Sequence, residues 1–272
     1  MKIGICGAGW LGLPLALHLQ RKKHTVVATK RKTEAVEKLL SQSLNCVQYT
    51  LGDELASDRL ACLFASEVIC LNIAAGRRSL DPEMFEDKMC KFISYAKNAG
   101  VQHLIFISTS SVYGESTRIV YEYSSLNPIT DSAKAHVIIE KYVNNTFKDC
   151  GCILRLGGLV GEDRHPAKSL AGKKALSNGQ RKVNLVHQLD VIAAITAIIE
   201  KQCYGQTFHL SAEDHPTRQT YYQTVAELMA LDPPEFLPSD DINNVGKQLN
   251  CELTMEKLGL ELSYPSPLDM LD

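Results

Sequence analysis

The chain has almost no charge imbalance: across 272 residues, 29 Lys and Arg face 31 Asp and Glu, a formal net charge of −2. That balance sets up no strong pull toward polyanions or anionic lipid, so neither nucleic acid nor a membrane is expected as a partner. No apolar run reaches the roughly 20 residues that cross a bilayer. The apolar start is broken by Gly4, Gly7, Gly9, Gly12, Pro14 and His18, which suit a strand, turn and helix better than a signal peptide. Nine cysteines are scattered without one C-x-x-C pair, and "CGC" at 150–152 is too tight for a zinc knuckle. A disulfide framework and a metal site are therefore not expected, and reduced, mostly buried thiols fit a cytoplasmic chain. There is no internal repeat and no low-complexity linker.

What is present is a rhythm. Short apolar runs alternate with amphipathic stretches over the first 155 residues. "KIGIC" reads as a strand, 10–21 as a helix, "HTVVAT" (24–29) as a second strand, with Thr33 as N-cap of a helix through Leu40. "VQYTL" (47–51) and "SEVICLNIA" (66–74) follow as strands, the latter apolar enough to be buried on both faces. Phe85, Met89, Phe92, Ile93 and Ala96 recur at helical spacing over 82–98. "HLIFIS" (103–108) is a strand, 133–148 a helix and "CILRLG" (152–157) a strand. Strands joined by helix-length crossovers imply an α/β chain with a doubly wound parallel sheet of Rossmann type. Residues 1–157 form the expected dinucleotide-binding domain, with 183–211 returning to it; 158–182 and 212–272 form a smaller substrate lobe. Within that lobe Thr217 caps a helix through Ala230, and the tail from Asp232 reads as irregular.

The stretch "GAGWLG" at 7–12 ends the first strand and opens the first helix. Gly7 permits the tight turn, Gly9 lets a pyrophosphate approach the backbone, and Gly12 lets helix and strand pack closely. The amides of Trp10 and Leu11 then point at phosphate, aided by the helix dipole. A binder of NAD usually carries an acid at the end of the second strand, to accept from the ribose 2′-OH. Here that place holds Thr29 followed by "KRK" at 30–32. Lys30 and Arg31 suit a 2′-phosphate through charge-assisted hydrogen bonds, so NADP is preferred over NAD. Asp53, just past the third strand, is either an acceptor for the adenine amino group or a turn residue.

Six motifs in this order – "GAGWLG", "LGDEL" (51–55), "NIAAG" (72–76), "ISTSSVYG" (107–114), "ILRLGGLVG" (153–161) and "VNLVHQLDV" (183–191) – resemble the short-chain dehydrogenase/reductase superfamily in its extended, epimerase-like branch. The resemblance covers nearly the whole chain. It implies that Thr109 falls where the branch keeps a catalytic Ser or Thr, that Ser110 and Ser111 contact substrate, and that Ala74 and Ala75 line the cofactor. It places Lys134 where the family's lysine holds the nicotinamide ribose and lowers a neighbouring tyrosine's pKa. Arg164 and His187 fall where extended members meet substrate, as do His165 and Asn184. Extended members often pair through the helices that are here 84–98 and 133–148, so the resemblance also implies a homodimer. Phe85 and Phe92 are either part of that face or ordinary core.

The family pattern Y-x-x-x-K is missing. Position 130 is Thr, and none of the ten tyrosines has Lys four residues later. Tyrosine ionises near pKa 10, an aliphatic hydroxyl several units higher. A gap of roughly five units costs about 7 kcal/mol, so Thr130 is read as a helix cap and not as an acid or base. Tyr113, Tyr121 and Tyr123 are either substitutes for proton transfer or packing and loop residues, and His165 and His187 are further candidates, His187 otherwise serving structural hydrogen bonding. Two functions stay open: an NADP(H)-dependent oxidoreductase or epimerase acting on a small carbonyl or nucleotide-sugar-like substrate, and a non-catalytic NADP(H)-binding sensor or scaffold. Atypical members of the superfamily share this combination of a kept glycine motif and a missing tyrosine.

Overall fold

A computed structural model describes residues 1–74, 81–116, 118–238 and 245–271. The first half runs β1 (Lys2–Cys6), α1 (Gly12–Arg21), β2 (Thr25–Lys30), α2 (Thr33–Ser41), β3 (Asn45–Gln48), α3 (Ala61–Phe64), β4 (Val68–Leu71), α4 (Pro82–Asn98), β5 (His103–Thr109) and β6 (Ile119–Val120). The second half runs α5 (Asp131–Phe147), β7 (Gly151–Leu156), β8 (Gly158–Val160), α6 (Ala167–Leu170), β9 (Leu185–His187), α7 (Gln188–Glu200), β10 (Gln206–Leu210), α8 (Arg218–Leu228), β11 (Gln248–Leu249) and α9 (Glu252–Leu258).

Seven strands form one parallel sheet in the order β3-β2-β1-β4-β5-β7-β10. The order reverses between β1 and β4, the crevice where doubly wound sheets bind ligands beyond the strands' carboxyl ends. Every residue of β4 and of β7 is buried, as strands covered on both faces must be. One face packs Leu15, Leu19, Val36, Leu39, Val191 and Ile195 from α1, α2 and α7. The other packs Leu63, Phe85, Phe92, Ile139 and Val143 from α3, α4 and α5. Phe85 and Phe92 are thus ordinary core of this chain.

Local chemistry sets the helix starts. Asp81 accepts from the Glu83 amide with Pro82 in the first turn of α4, and Thr217 accepts from the Thr220 amide at the head of α8. Thr33 does not cap α2; Lys32 holds the cap position without a side-chain bond, and Thr33 is the first helical residue. β3 stops at Gln48, ahead of the expected 51, because the Thr50 amide turns back onto the Asp53 carboxylate at 2.9 Å. Of the 183–211 stretch, β10 joins the sheet's edge and α7 packs on its face, whereas β9 pairs with β8 in a separate ribbon. The tail is less irregular than its prolines suggest: β11 pairs with β6, and α9 follows. No helix among the described residues is long and apolar enough to cross a membrane.

Candidate active site

The loop after β1 is built by its glycines. Gly7 has φ +100°, and a Cβ there would strike the Asn72 carbonyl. A Cβ on Gly12 would strike the Gly7 carbonyl, so the first turn of α1 lies directly on the loop. Gly9 is different: a Cβ there meets nothing within 4 Å. Its smallness therefore serves no packing need of the described protein and leaves an open approach to the backbone. Two ties fix the loop: the Gly7 amide donates to Thr29 Oγ1 at 2.9 Å, and Asn72 Nδ2 donates to the Gly7 carbonyl at 3.2 Å. The Trp10 and Leu11 amides have no acceptor among the described residues. Unpaired amides at a helix start, beside the sheet's reversal, are donors of the kind that suit an anion.

Thr29 spends its hydroxyl inward on that loop and is buried. Next to it Lys30 is half-buried and Arg31 exposed, and neither forms an ion pair among the described residues. Asp53 is a turn residue here: Oδ2 accepts from the Thr50 amide and pairs with Arg59 at 3.3 Å, which leaves Oδ1 for any base. Ala74 is exposed at the end of the β4 loop; Ala75 lies outside the described residues.

Thr109 ends β5, and its hydroxyl accepts from the Ser111 amide and donates to Ser111 Oγ, both at 3.1 Å. Ser111 is exposed and Ser110 buried. Thr130 caps α5 by accepting from the Ala133 amide at 3.2 Å. Lys134, one turn on, pairs with Asp131 at 3.1 Å with its side chain mostly exposed. The hydroxyl and the ammonium of the family pattern are therefore present, and the position between them is a helix cap.

Of the candidate substitutes for the missing tyrosine, Tyr113, His165 and His187 are buried. Tyr113 points into the core. Its hydroxyl bonds to His209 Nδ1 and to Arg155 Nη1, each at 3.0 Å, and burial pushes its pKa up to about 12 against the pull of Arg155. His187 is buried as the cap of α7, accepting from the Leu189 amide at 3.3 Å with its ring 3.9 Å from that of Tyr264. His165 is buried too, Nε2 donating to the Met270 carbonyl at 2.9 Å. Burial holds the pKa of His165 below the ordinary histidine value. Tyr121 and Tyr123 stack on each other, Tyr123 largely exposed. Asn184 ties β11 down, bonding the Lys247 carbonyl and the Leu249 amide. Arg164 lies over the Trp10 ring, its guanidinium carbon 5.0 Å from the centroid.

Beneath the site runs a buried polar chain that the motifs did not reveal. Ser108 donates to Glu140, which Arg155 grips with Nε and Nη2, the latter at 2.7 Å. Arg155 continues to Tyr113 and to the Glu122 carbonyl. Tyr113 passes to His209, whose Nε2 faces the Asn250 carbonyl at 2.6 Å. A carbonyl only accepts, so His209 carries its proton on Nε2 and accepts the Tyr113 hydroxyl on Nδ1. The signal for this chain was an arginine inside the otherwise apolar "CILRLG", since a charge in a fully buried strand needs a partner.

A glycine loop at the reversal of a seven-stranded parallel sheet, with a hydroxyl at the end of β5 and a lysine at the start of α5, is the layout of the short-chain dehydrogenase/reductase superfamily. Residues 3–210 match the model of the NAD dependent epimerase/dehydratase family, and the chain belongs to that family. Protein YeeZ of Escherichia coli is 34% identical over 271 residues, covering 99% of this chain and 98% of YeeZ. The fold is also that of UDP-glucose 4-epimerase from Thermotoga maritima, solved with UDP-glucose (TM-score 0.82, 19% identity, 100% of this chain and 96% of that one). UDP-glucuronic acid 4-epimerase from Bacillus cereus, solved in complex with NAD, superposes with TM-score 0.80 at 20% identity, again over 100% and 96% of the chains.

Proposed function

We propose that this protein binds a nicotinamide dinucleotide at the glycine loop, NADP(H) in preference to NAD(H), and works as an oxidoreductase or epimerase on a small carbonyl or nucleotide-sugar-like substrate. The observation that carries the reading is the open backbone at Gly9 beside the unpaired Trp10 and Leu11 amides. The residues fit the group: amides for the diphosphate, and Lys30 and Arg31 without an acid beside Thr29 for a 2′-phosphate. The B. cereus epimerase, whose structure contains NAD, supports the cofactor class by its likeness in fold.

The dinucleotide would supply hydride acceptance and donation. Thr109 would hold the reacting oxygen by a hydrogen bond, and the Lys134 ammonium would hold the ribose and a water that carries the proton. That water is needed because Thr130 is committed to its cap and Tyr113 to the core. The same observation favours a second reading, a non-catalytic NADP(H)-binding sensor. A cytoplasmic location and a homodimer through α4 and α5 belong to the same proposal.

The test is absorbance at 340 nm. Purified protein with NADPH is offered aldehydes, ketones and sugar nucleotides. Turnover lost in Lys134→Met supports the enzyme. NADPH binding without turnover across the panel moves the assignment to the sensor.

A further inference from the structure

Trp10 is the single tryptophan of the chain and sits in the middle of the glycine loop. Three separate grips hold it. Its carbonyl accepts from Gln188 Nε2 at 2.8 Å, at the start of α7. Its indole Nε1 donates to the Glu162 carbonyl at 2.9 Å. Its ring face lies under the Arg164 guanidinium, and its ring edge lies so close to Gly161 that a Cβ there would come within 3.1 Å of it. Two of these grips come from one tight turn, closed by Gly161 N to Arg164 O at 3.2 Å and Arg164 N to Gly161 O at 2.9 Å. Asp163 holds φ +61° inside it, a conformation that Asp tolerates better than most residues.

The turn does not end at Trp10. The next residue, His165, is buried, bonded to the Met270 carbonyl and 3.3 Å from the Tyr221 hydroxyl. Tyr221 and Met270 belong to the core of the C-terminal lobe, with Val160, Ala167 and Val225. A continuous path therefore runs from the loop amides through the indole, across the turn, into the lobe. It contains no side chain of the expected reaction centre, Thr109 or Lys134.

We propose that the Gly161–Arg164 turn is a strap through which occupancy of the dinucleotide site fixes the C-terminal lobe, with Trp10 as the coupling residue and Arg164 as a positioning residue. The proposal rests on the cofactor reading above. A diphosphate held by the Trp10 and Leu11 amides pins the one residue the strap grips. Pinning it removes motions of the strap that the empty loop allows, so the lobe is set for a second ligand after the dinucleotide binds. Coupling of this kind is reciprocal: whatever factor the dinucleotide adds to strap stability, the strap adds to dinucleotide affinity.

The experiment combines calorimetry with NADPH and hydrogen exchange of peptides spanning 158–166, on the whole chain. In the wild type, saturating NADPH slows exchange of the strap amides roughly fivefold or more. Trp10→Phe keeps a ring for Arg164 and removes both the indole donor and the benzo edge that lies against Gly161. In it the slowing is lost, and NADPH affinity falls by no more than the same factor. Arg164→Gln, which leaves the indole bond in place, gives a partial loss. Unchanged exchange in wild type that calorimetry shows to be saturated overturns the strap while leaving the cofactor reading intact, as does full slowing in Trp10→Phe. Absence of any binding heat with NADPH overturns the cofactor reading, and the strap with it.

Discussion

Gly9→Ala separates the two jobs a glycine loop can do. The added methyl meets no atom within 4 Å, and Gly9 does not occupy the left-handed region. Stability should therefore stay within about 0.5 kcal/mol of wild type, as for other unstrained surface changes. On the diphosphate reading, the methyl stands where the pyrophosphate approaches the backbone. Losing two charge-assisted hydrogen bonds at about 1.5–3 kcal/mol each removes about 3–6 kcal/mol of binding. That is more than about a hundredfold in Kd. Gly12→Ala is the contrast: its methyl strikes the Gly7 carbonyl, so it should lose fold stability and binding together. The assay is thermal denaturation beside calorimetry with NADPH. Gly9→Ala binding NADPH like wild type would refute the assignment of the diphosphate to these amides.

Other outcomes follow from the same geometry. Lys30→Ala/Arg31→Ala should weaken NADPH at least tenfold and leave NADH nearly unchanged, since only the former carries the 2′-phosphate; equal losses for both, measured by calorimetry, contradict the selection. Arg155→Met should cost about 3–5 kcal/mol in urea unfolding, because it strands the buried Glu140 carboxylate, and Glu140→Gln added to it should restore part of that. Acid should destabilise the fold through His209. Burial lowers its pKa below 6.5, so the unfolded chain takes up the proton first. Its contribution is then complete above pH 6.5 and is lost as pH falls toward the folded value. His209→Gln, able to keep both hydrogen bonds, should flatten the stability profile over that range.

Most of the sheet was legible because parallel strands announce themselves locally. "KIGIC", "HTVVAT" and "HLIFIS" each carry their own burial pattern, and the α4 stretch carries its own helical period. The glycine loop was legible for the same reason: its turn, approach and packing demands fall within six residues. What escaped depends on partners far along the chain. Tyr113 could be read as facing a cleft until His209, 96 positions away, claimed its hydroxyl. Trp10 meets Glu162 across 152 positions, which no spacing rule spans. α9 lies in a proline-rich tail, and its first turn is held by Asn250, which accepts from the Glu252 amide at 3.1 Å, and by the distant Glu122, which accepts from the Thr254 amide at 3.1 Å. Thr130 was read correctly as a cap because capping is a three-residue relation.

The most direct measurement is a pair of calorimetric titrations of the folded wild-type chain, one with NADPH and one with NADH. One site per chain is expected, with NADPH bound at least about tenfold more tightly, as the loss of a single charged contact at a 2′-phosphate corresponds to roughly 1.4 kcal/mol or more. Heat from neither nucleotide at millimolar concentration would contradict it.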